Sequence, residues 1–252
     1  MKILNKAIDL LLPYKCDICG GFADTAGRIG RLESAYKVIY GSDPGFHICS
    51  RCLSGIVPQR PDRRWFTCLS NPVEDDPVSD LALFMPFAYS GVVDKAIPEI
   101  KFSGKIELAR LLGILLGNVI KEEGVIFDVI VPVPLSEERM TERGYNQAYE
   151  IAYPVAWING KAITEDMLIR KRNTGRQSRL SGTQARMMNV ENAFAINGSW
   201  DLTGSKVLLL DDVATTGHTL RECALTVMRG GASEVLCCAF AGNRQLKNDE
   251  PF

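Results

Sequence analysis

The stretch Lys206-Val-Leu-Leu-Leu-Asp-Asp-Val-Ala-Thr-Thr-Gly-His-Thr-Leu220 decides both the fold and the expected chemistry. Its apolar half is typical of a buried strand, and that strand ends in two carboxylates, Asp211 and Asp212. A Thr-Thr-Gly turn follows, and a helix is predicted to begin around Thr219. The N–H groups of such a turn and the positive end of a helix bind phosphate. Carboxylates beside phosphate must bind sugar hydroxyls or Mg²⁺, so the stretch predicts a sugar-phosphate site.

The same stretch has a simpler interpretation, in which Asp212 or Thr216 only caps the helix. One cap needs one polar side chain, whereas five polar or glycine positions cluster here, which favours a binding site. The stretch is not a Walker A loop, because it lacks the G-x4-G-K-[ST] pattern, and it lacks the G-x-G-x-x-G of dinucleotide-binding folds.

Short apolar runs alternate with helical stretches on either side of this segment. Strands are predicted at 81–89, 127–133, 207–210 and 235–241, and helices at 106–121, 137–157 and 219–229. Apolar strands between helices indicate an α/β fold with a parallel sheet covered on both faces. Residues 54–77 are rich in Pro, Arg and Asp and are predicted to be a linker. We therefore expect a small N-terminal module, residues 1–70, and a larger domain, residues 78–252.

The N-terminal part carries two C-x2-C knuckles. Thiolates on two tight turns complete the tetrahedral sulfur set that zinc prefers. The knuckles are further apart than the roughly 15 to 20 residues usual for this pattern, so an insertion, residues 22–46, is expected to loop out. Four ordinary buried cysteines are the alternative, and a redox pair is disfavoured because neither knuckle opens a helix after a strand. Cys68 has no partner knuckle. The predicted zinc ligands are Cys16, Cys19, Cys49 and Cys52.

Composition narrows the class of protein. The net charge is −1, so the chain lacks the overall positive field of a general nucleic-acid binder. With only 2 His, catalysis by several histidines is excluded. Residues 1–12 fit a short amphipathic helix better than a signal peptide, and the apolar run 108–120 is shorter than the roughly 20 residues that span a bilayer. No membrane segment and a reducing, cytoplasmic location are therefore expected, in which paired cysteines bind metal more often than they form disulfides.

Residues 207–219 resemble the PRPP (phosphoribosyl pyrophosphate) motif of type I phosphoribosyltransferases, with its apolar strand, acidic pair and T-T-G-x-T. The resemblance implies a type I phosphoribosyltransferase fold with PRPP and Mg²⁺ as ligands. It implies that Asp211 and Asp212 bind the ribose hydroxyls as the catalytic pair. The residues implied around the 5′-phosphate are Ala214, Thr215, Thr216, Gly217 and Thr219.

Further stretches resemble the ComF/GntX family of competence-related proteins. They are Phe87-Ala-Tyr-Ser-Gly, Ile100-Lys-Phe-Ser-Gly, Val131-Pro-Val-Pro-Leu, Arg139-Met-Thr-Glu-Arg-Gly-Tyr-Asn-Gln and the region 177–194. The family also begins with a short helix and a four-cysteine, zinc-ribbon-like module, and the resemblance covers nearly the whole chain. It adds Lys101 and Arg186 to the expected PRPP-binding residues. The long insertion and the lone Cys68 depart from the family pattern.

Basic side chains are concentrated near the proposed anion site. Residues 167–190 hold six basic residues and no acid, which indicates either a lid that closes over pyrophosphate or a solvated loop. Arg176 belongs to this segment. Arg139 and Arg143, four apart on a predicted helix, either hold the leaving pyrophosphate or pair with Glu138 and Glu142 on an ordinary charged face.

Two functions are consistent with these features. The first is Mg²⁺-dependent transfer of phosphoribose from PRPP to an unidentified acceptor. The second, implied by the family, is an accessory role in natural transformation, in which the chain binds single-stranded DNA or a helicase. The basic residues Arg60, Arg63 and Arg64 would suit DNA, but no aromatic side chain for base stacking is interleaved with them.

Overall fold

A computed structural model describes residues 14–23, 30–59, 66–70, 80–171 and 193–242, with only the backbone described for 66–70 and Asp80. The helix expected at 1–12 lies outside this part. The helices are α1 (Gly30–Tyr40), α2 (Ser50–Gly55), α3 (Val93–Phe102), α4 (Ile106–Glu122), α5 (Glu137–Arg143), α6 (Gln147–Asn159) and α7 (His218–Arg229). The strands are β1 (Phe66–Ser70), β2 (Asp80–Phe84), β3 (Phe87–Ala88), β4 (Val129–Pro132), β5 (Ala162–Ile163), β6 (Leu168–Arg170), β7 (Phe194–Ile196), β8 (Lys206–Ala214) and β9 (Glu234–Gly242).

The main sheet has the strand order β1-β2-β9-β8-β4-β5, and β3 also pairs with β9. All of its pairings are parallel except that between β1 and β2, which is antiparallel. The strands β6 and β7 form a separate antiparallel pair. Since β8 lies between β9 and β4, the residues at its carboxyl end are placed near the middle of the sheet.

Both faces of the sheet are covered, and alternate residues of β8 show this directly. Leu208 and Leu210 pack in a hydrophobic cluster with α3, α4 and α6. Val207 and Leu209 pack in a second cluster with α7 and the β6–β7 pair. Because successive side chains of a strand point to opposite faces, a strand covered by helices on both faces is apolar throughout. The predicted α/β class with a parallel sheet is confirmed.

Three sequence-based boundaries were wrong. The strand predicted at 81–89 is two strands, β2 and β3, interrupted at Met85 and Pro86. The predicted linker contains β1, which forms an edge of the main sheet by pairing with β2. The helix predicted at 137–157 is two helices, because Gly144 ends α5 with φ of +77° and Asn146 begins α6 by accepting a hydrogen bond from the Ala148 N–H. The division between residues 1–70 and 78–252 stays a prediction.

The insertion at 22–46 contains a helix in its described part. Helix α1 buries Tyr36 and Ile39 in the cluster that α4 also joins. Arg110 of α4 donates a hydrogen bond to the Tyr36 hydroxyl at 3.2 Å and pairs with Glu150 of α6 at 2.8 Å. The described part of the insertion is therefore not an open loop but includes a helix whose apolar face packs in the cluster with α4, and its looping out between the knuckles stays a prediction.

None of the helices in the described ranges is long and apolar enough to cross a membrane.

Candidate functional site

The two aspartates lie in the second half of strand β8, beside the end of a neighbouring parallel strand. Asp211 lies opposite Ala239 of β9, while the Val133 N–H after β4 donates to the Leu210 carbonyl at 2.8 Å. In an open α/β sheet, ligands bind outside the carboxyl ends of the strands. Both carboxylates therefore stand at the edge of the sheet where a ligand is expected.

Lys101 reaches the aspartate pair from a distant part of the sequence. It lies near the end of α3, and its Nζ is 2.6 Å from Oδ2 of the buried Asp212. A buried carboxylate is costly unless it is paired, and Lys101 supplies the partner of Asp212 in this position. The structure thus brings the predicted Lys101 and Asp212 together.

Asp211 is in a different electrostatic state from its neighbour. Burial, followed by the charge of Asp212, raises the pKa of Asp211 to about 8. Its Oδ1 accepts a hydrogen bond from the Asp212 N–H at 2.8 Å. Because Lys101 already pairs with Asp212, Asp211 is the carboxyl group that would gain most from an added cation.

The Thr-Thr-Gly turn leads directly into α7. Thr215 and Thr216 are exposed, whereas Gly217 is buried with φ of +72°, a left-handed conformation that glycine adopts without strain. Helix α7 begins at His218, one residue before the predicted start. Within the described ranges no side chain caps this helix, so the interpretation of Asp212 or Thr216 as a cap is contradicted. The N–H groups of its first turn remain available for an anion.

Three arginines lie around the same end of the sheet. Arg139 and Arg143 are on α5, and neither forms an ion pair with Glu138 or Glu142 in the part of the chain that the structure describes. Burial, followed by the like charge of Arg139, lowers the pKa of Arg170 on β6. Two neighbouring guanidinium groups favour an anion between them.

The segment that carries Arg143 is fixed to the end of α3. The Tyr145 hydroxyl donates to the Ile100 carbonyl, and Asn146 donates through its side-chain amide to the Val133 carbonyl at 3.1 Å. The Arg143 guanidinium lies over the ring of Phe102, 5.6 Å from its centroid. Lys101 and Arg143 therefore belong to one connected structure at the end of β8.

Sequence reasoning missed part of this site. Arg170 was recognised only as one of several basic residues, although its position at the end of a short strand was a usable signal. In the sequence, Phe102 is distinguished only as a member of the stretch Ile100-Lys-Phe-Ser-Gly. Of the predicted substrate-binding residues, Arg176 and Arg186 lie outside the described residues.

The four predicted metal ligands form a second cluster. The Sγ atoms of Cys16, Cys19, Cys49 and Cys52 all lie within 4.8 Å of one another. The Sγ atoms of Cys19 and Cys49 are 3.8 Å apart, which matches the edge of a tetrahedron with metal–sulfur bonds of about 2.3 Å. Gly20 has φ of +70°, and its N–H donates to the Cys16 carbonyl at 2.8 Å, which closes the first knuckle. The donor set and spacing fit a structural metal.

The thiols of this cluster differ in acidity. Burial opposes ionisation of Cys16, but backbone N–H groups, first that of Cys49, lower its pKa to about 7. Burial raises the pKa of Cys49 and of Cys52 above the ordinary value. Cys223, Cys237 and Cys238 are fully buried in the core, as predicted, and burial raises the pKa of Cys237 to about 12.

A lysine joins the cysteine cluster to the aspartate site. The Lys105 Nζ donates to the Asp17 carbonyl at 2.7 Å and lies 2.8 Å from the Glu99 carboxylate. Asp17 is between the first two cysteines, and its carboxylate accepts the His47 N–H at 2.6 Å, which ties the two knuckles together. Glu99 is on α3, as is Lys101, so one side chain links the knuckles to the helix that contacts Asp212.

Comparison with known proteins defines the class first. A family profile described as a phosphoribosyl transferase domain matches residues 144–251, a range that includes β8 and α7. The glutamine phosphoribosylpyrophosphate amidotransferase of B. subtilis aligns with a TM-score of 0.41 and 21% identity over 57% of this chain and 30% of that chain. The family profile, together with the parallel sheet and flanking helices of the described residues, gives the chain a type I phosphoribosyltransferase fold.

Relatives then identify the family. The DNA utilization protein YhgH of Salmonella typhimurium is 30% identical over 75% of this chain and 81% of that protein. Competence protein F of Haemophilus influenzae is 30% identical over 55% of this chain and 63% of that protein. The chain belongs to the ComF/GntX family of competence protein F-like proteins.

Proposed function

We propose that this chain binds PRPP with Mg²⁺ at the end of β8 and transfers its phosphoribosyl group to an acceptor. The observation that carries the proposal is a helix N-terminus at Gly217 without a side-chain cap. It follows, after one short turn, the carboxylate pair on the central strand β8. A phosphate and a sugar diol joined in one molecule would use both features at once.

Each end of the sugar phosphate has suitable partners. Asp211 and Asp212 would accept hydrogen bonds from the ribose hydroxyls, since carboxylates are pure acceptors. The 5′-phosphate would lie at the start of α7, where backbone N–H groups and the helix dipole favour an anion. The residues proposed to surround this phosphate are Ala214, Thr215, Thr216, Gly217 and Thr219.

The pyrophosphate end would be held by positive charge. Arg139, Arg143 and Arg170 are the described candidates, and Arg176 and Arg186 are proposed from the sequence alone. Bound Mg²⁺ would neutralise charge on the departing pyrophosphate, and the raised pKa of Asp211 fits a carboxyl group that is completed by a cation. The arginines would add fixed charge that needs no rearrangement during the reaction.

Catalysis would depend on position and charge. Cleavage of the bond between C1 of ribose and pyrophosphate leaves positive charge on the sugar and negative charge on the leaving group. Asp211 and Asp212 would fix the position of the ribose ring while the arginines hold the pyrophosphate. The acceptor would then attack C1 from the side opposite the leaving pyrophosphate. This chemistry requires no nucleophilic side chain, consistent with the buried state of Cys223.

We also propose that the bound metal in the cysteine cluster is zinc with a structural role. Four sulfur ligands leave no open position for a substrate, as in structural rather than catalytic zinc sites. Metal analysis of the purified protein should find about one equivalent of zinc. A value far below one equivalent, in protein prepared without chelators, would contradict the proposal.

The transfer reaction is tested by pyrophosphate release from PRPP in the presence of bases, amines and ammonia. We expect release that requires Mg²⁺ and one class of acceptor, and that falls at least a hundredfold in Asp212→Asn. Glu165→Gln, which changes an exposed carboxylate, is the control and should keep full activity. If PRPP binds but no acceptor causes pyrophosphate release, the chain binds PRPP and does not catalyse transfer.

The names of the relatives favour a second candidate function. A DNA utilization protein and a competence protein suggest that this chain binds single-stranded DNA or a helicase. Such binding should weaken steeply with salt, because phosphate contacts release counterions. Arg176 and Arg179 both belong to the basic segment at residues 167–190. Single-strand binding that survives Asp211→Asn with Asp212→Asn, but is lost in Arg176→Ala with Arg179→Ala, would support this function over transfer.

A further inference from the structure

Cys19 is the exposed member of the cysteine cluster. The other three residues are buried, at 2% exposure for Cys16, 8% for Cys49 and 5% for Cys52. Two glycines follow Cys19 in the chain, and a Cβ added at Gly21 would lie 3.5 Å from the Cys19 sulfur. Because Gly21 has no side chain, solvent reaches this sulfur from that side.

Exposure decides which sulfur of the cluster an oxidant meets first. In a site that binds a metal through four sulfurs, all four are thiolates, which is the nucleophilic form of cysteine. Their susceptibility to oxidation then follows from how accessible each one is. A small peroxide should therefore react at Cys19, while the surrounding protein shields the buried sulfurs.

A second sulfur lies within reach of the first. The Cys49 Sγ is 3.8 Å from that of Cys19, and the Cys52 N–H donates to the Cys49 Sγ at 3.4 Å, which holds it in position. A sulfenic acid beside a thiolate condenses with it to a disulfide. Cys19 and Cys49 belong to different knuckles, so a bond between them would remove one metal ligand from each knuckle.

We propose that the cysteine cluster is an oxidation switch, in which hydrogen peroxide joins Cys19 to Cys49 and the metal is released. The inference rests on the proposed structural metal. The Cys19 thiolate attacks the O–O bond, becomes a sulfenic acid and displaces hydroxide. The Cys49 thiolate then attacks the Cys19 sulfur and displaces a second hydroxide. The sulfurs lose two electrons, the peroxide gains them, and both hydroxides take protons from solvent to give water.

Lys105 gives the switch a route to the aspartate site. Its Nζ donates to the carbonyl of Asp17, a residue of the first knuckle, at 2.7 Å. The same Nζ is 2.8 Å from Glu99 of α3, the helix that carries Lys101. Oxidation would move the chain around Asp17 and so weaken a contact that supports this helix. PRPP affinity should fall as a result.

The test treats the full chain, loaded with metal, with hydrogen peroxide and follows metal release with a chromogenic chelator. We expect about one equivalent of metal to be released for each Cys19–Cys49 disulfide found by peptide mass spectrometry. Dithiothreitol with added zinc should reverse both changes, which oxidation of methionine or further oxidation of cysteine would not allow. The PRPP affinity of the oxidised protein should be lower by about two- to tenfold.

Gly21→Val is the decisive variant, because it keeps all four ligands and covers the Cys19 sulfur. Gly21 does not have a positive φ, so valine can take its backbone conformation. The variant should release its metal several times more slowly than wild type. Cys68→Ser is the matched control, since it removes a cysteine other than the four ligands, and it should release metal at the wild-type rate. In Lys105→Met, metal release should be unchanged, but oxidation should alter PRPP affinity by less than about twofold.

The outcomes separate the switch from the proposals on which it rests. A disulfide that does not include Cys19, or equal release rates in wild type and Gly21→Val, would overturn the switch while the structural metal stands. Unchanged PRPP affinity after oxidation, or an equal loss in Lys105→Met, would overturn the route through Lys105. If wild type holds no metal before oxidation, the proposed metal itself fails. If reduced wild type does not bind PRPP, the proposed function fails, and metal release still tests the switch.

Discussion

The cysteine cluster and the aspartate site both place ionisable side chains close together, but they differ in the groups that lie next to those side chains. Four thiols lie within 4.8 Å of one another. In contrast, Asp212 is paired with Lys101 at 2.6 Å, and Asp211 keeps a proton up to a pKa of about 8. We expect the first arrangement to require a metal, whereas in the second the chain itself supplies a cation to one of the two carboxylates.

The two regions also differ in what supports them. The cysteines lie on short turns and the six-residue α2, a segment with little core of its own. The aspartates lie on a nine-residue strand at the middle of the sheet. Loss of the metal should therefore unfold structure, and loss of the aspartates should remove binding while the fold remains.

The largest effect is expected at the cysteine cluster. Cys49→Ser should lower the bound metal from about one equivalent to near zero and unfold residues 14–23 and 30–59, because metal binding there is folding free energy. Metal analysis and limited proteolysis measure the two consequences. Cys238→Ala, which changes a buried thiol of β9, should lose about 1 kcal/mol and keep its metal. Retention of the metal by Cys49→Ser would contradict the ligand assignment.

The next effect concerns the pair that stabilises the aspartate site. Lys101→Met leaves the Asp212 carboxylate without its partner and should lower the free energy of unfolding by about 1–3 kcal/mol. Adding Asp212→Asn should recover part of this loss, because the unpaired charge is removed. Denaturant unfolding measures both. Lys95→Met, on the exposed side of the same helix, should change stability by less than about 0.5 kcal/mol.

A smaller effect follows from the proton on Asp211. Its folded pKa lies above the value of about 3.9 in an unfolded chain, so its contribution to stability is lost as pH rises from about 4 to 8. Asp211→Asn removes this loss and should therefore raise stability and Tm at pH 8. At pH 5 the difference should be much smaller. Thermal unfolding at both pH values measures it. An equal change in Tm at pH 5 and pH 8 would contradict a raised pKa of Asp211.

The smallest effect tests whether the two regions are independent. Lys105→Met breaks the link from Asp17 to Glu99 and should leave the zinc content unchanged. Because Glu99 and Lys101 share α3, we expect PRPP affinity to fall by about two- to tenfold, within the usual range of coupling between sites. Lys105→Arg should preserve most of the affinity. Unchanged PRPP binding in Lys105→Met would show that the knuckles do not position the site.

The sequence predicted the features whose signal is local. The sugar-phosphate motif consists of consecutive residues: an apolar strand, two carboxylates, Thr-Thr-Gly and a helix. Each cysteine knuckle is likewise a short continuous stretch. The contact of Lys101 with Asp212 joins residues far apart in the chain, and only the order of strands in the sheet brings them together. The burial of α1 could not be predicted either, since its apolar face finds its partner on α4.

The aromatic side chain at the site shows the same limit. In the sequence, no aromatic residue is interleaved with the arginines considered for DNA binding. In the fold, Phe102 lies under Arg143, because Tyr145 ties the end of α5 to the end of α3. A search for aromatic and basic residues that are neighbours in sequence misses a pair that is made by tertiary structure.

Calorimetric titration of PRPP with Mg²⁺ tests the central claim most directly. Wild type should bind with one site, and Asp211→Asn combined with Asp212→Asn should lose that binding by at least a hundredfold while it keeps its zinc and its cooperative unfolding. Glu165→Gln should bind as wild type does. Absence of binding by wild type, or equal binding by the double variant, would contradict a sugar-phosphate site at the end of β8.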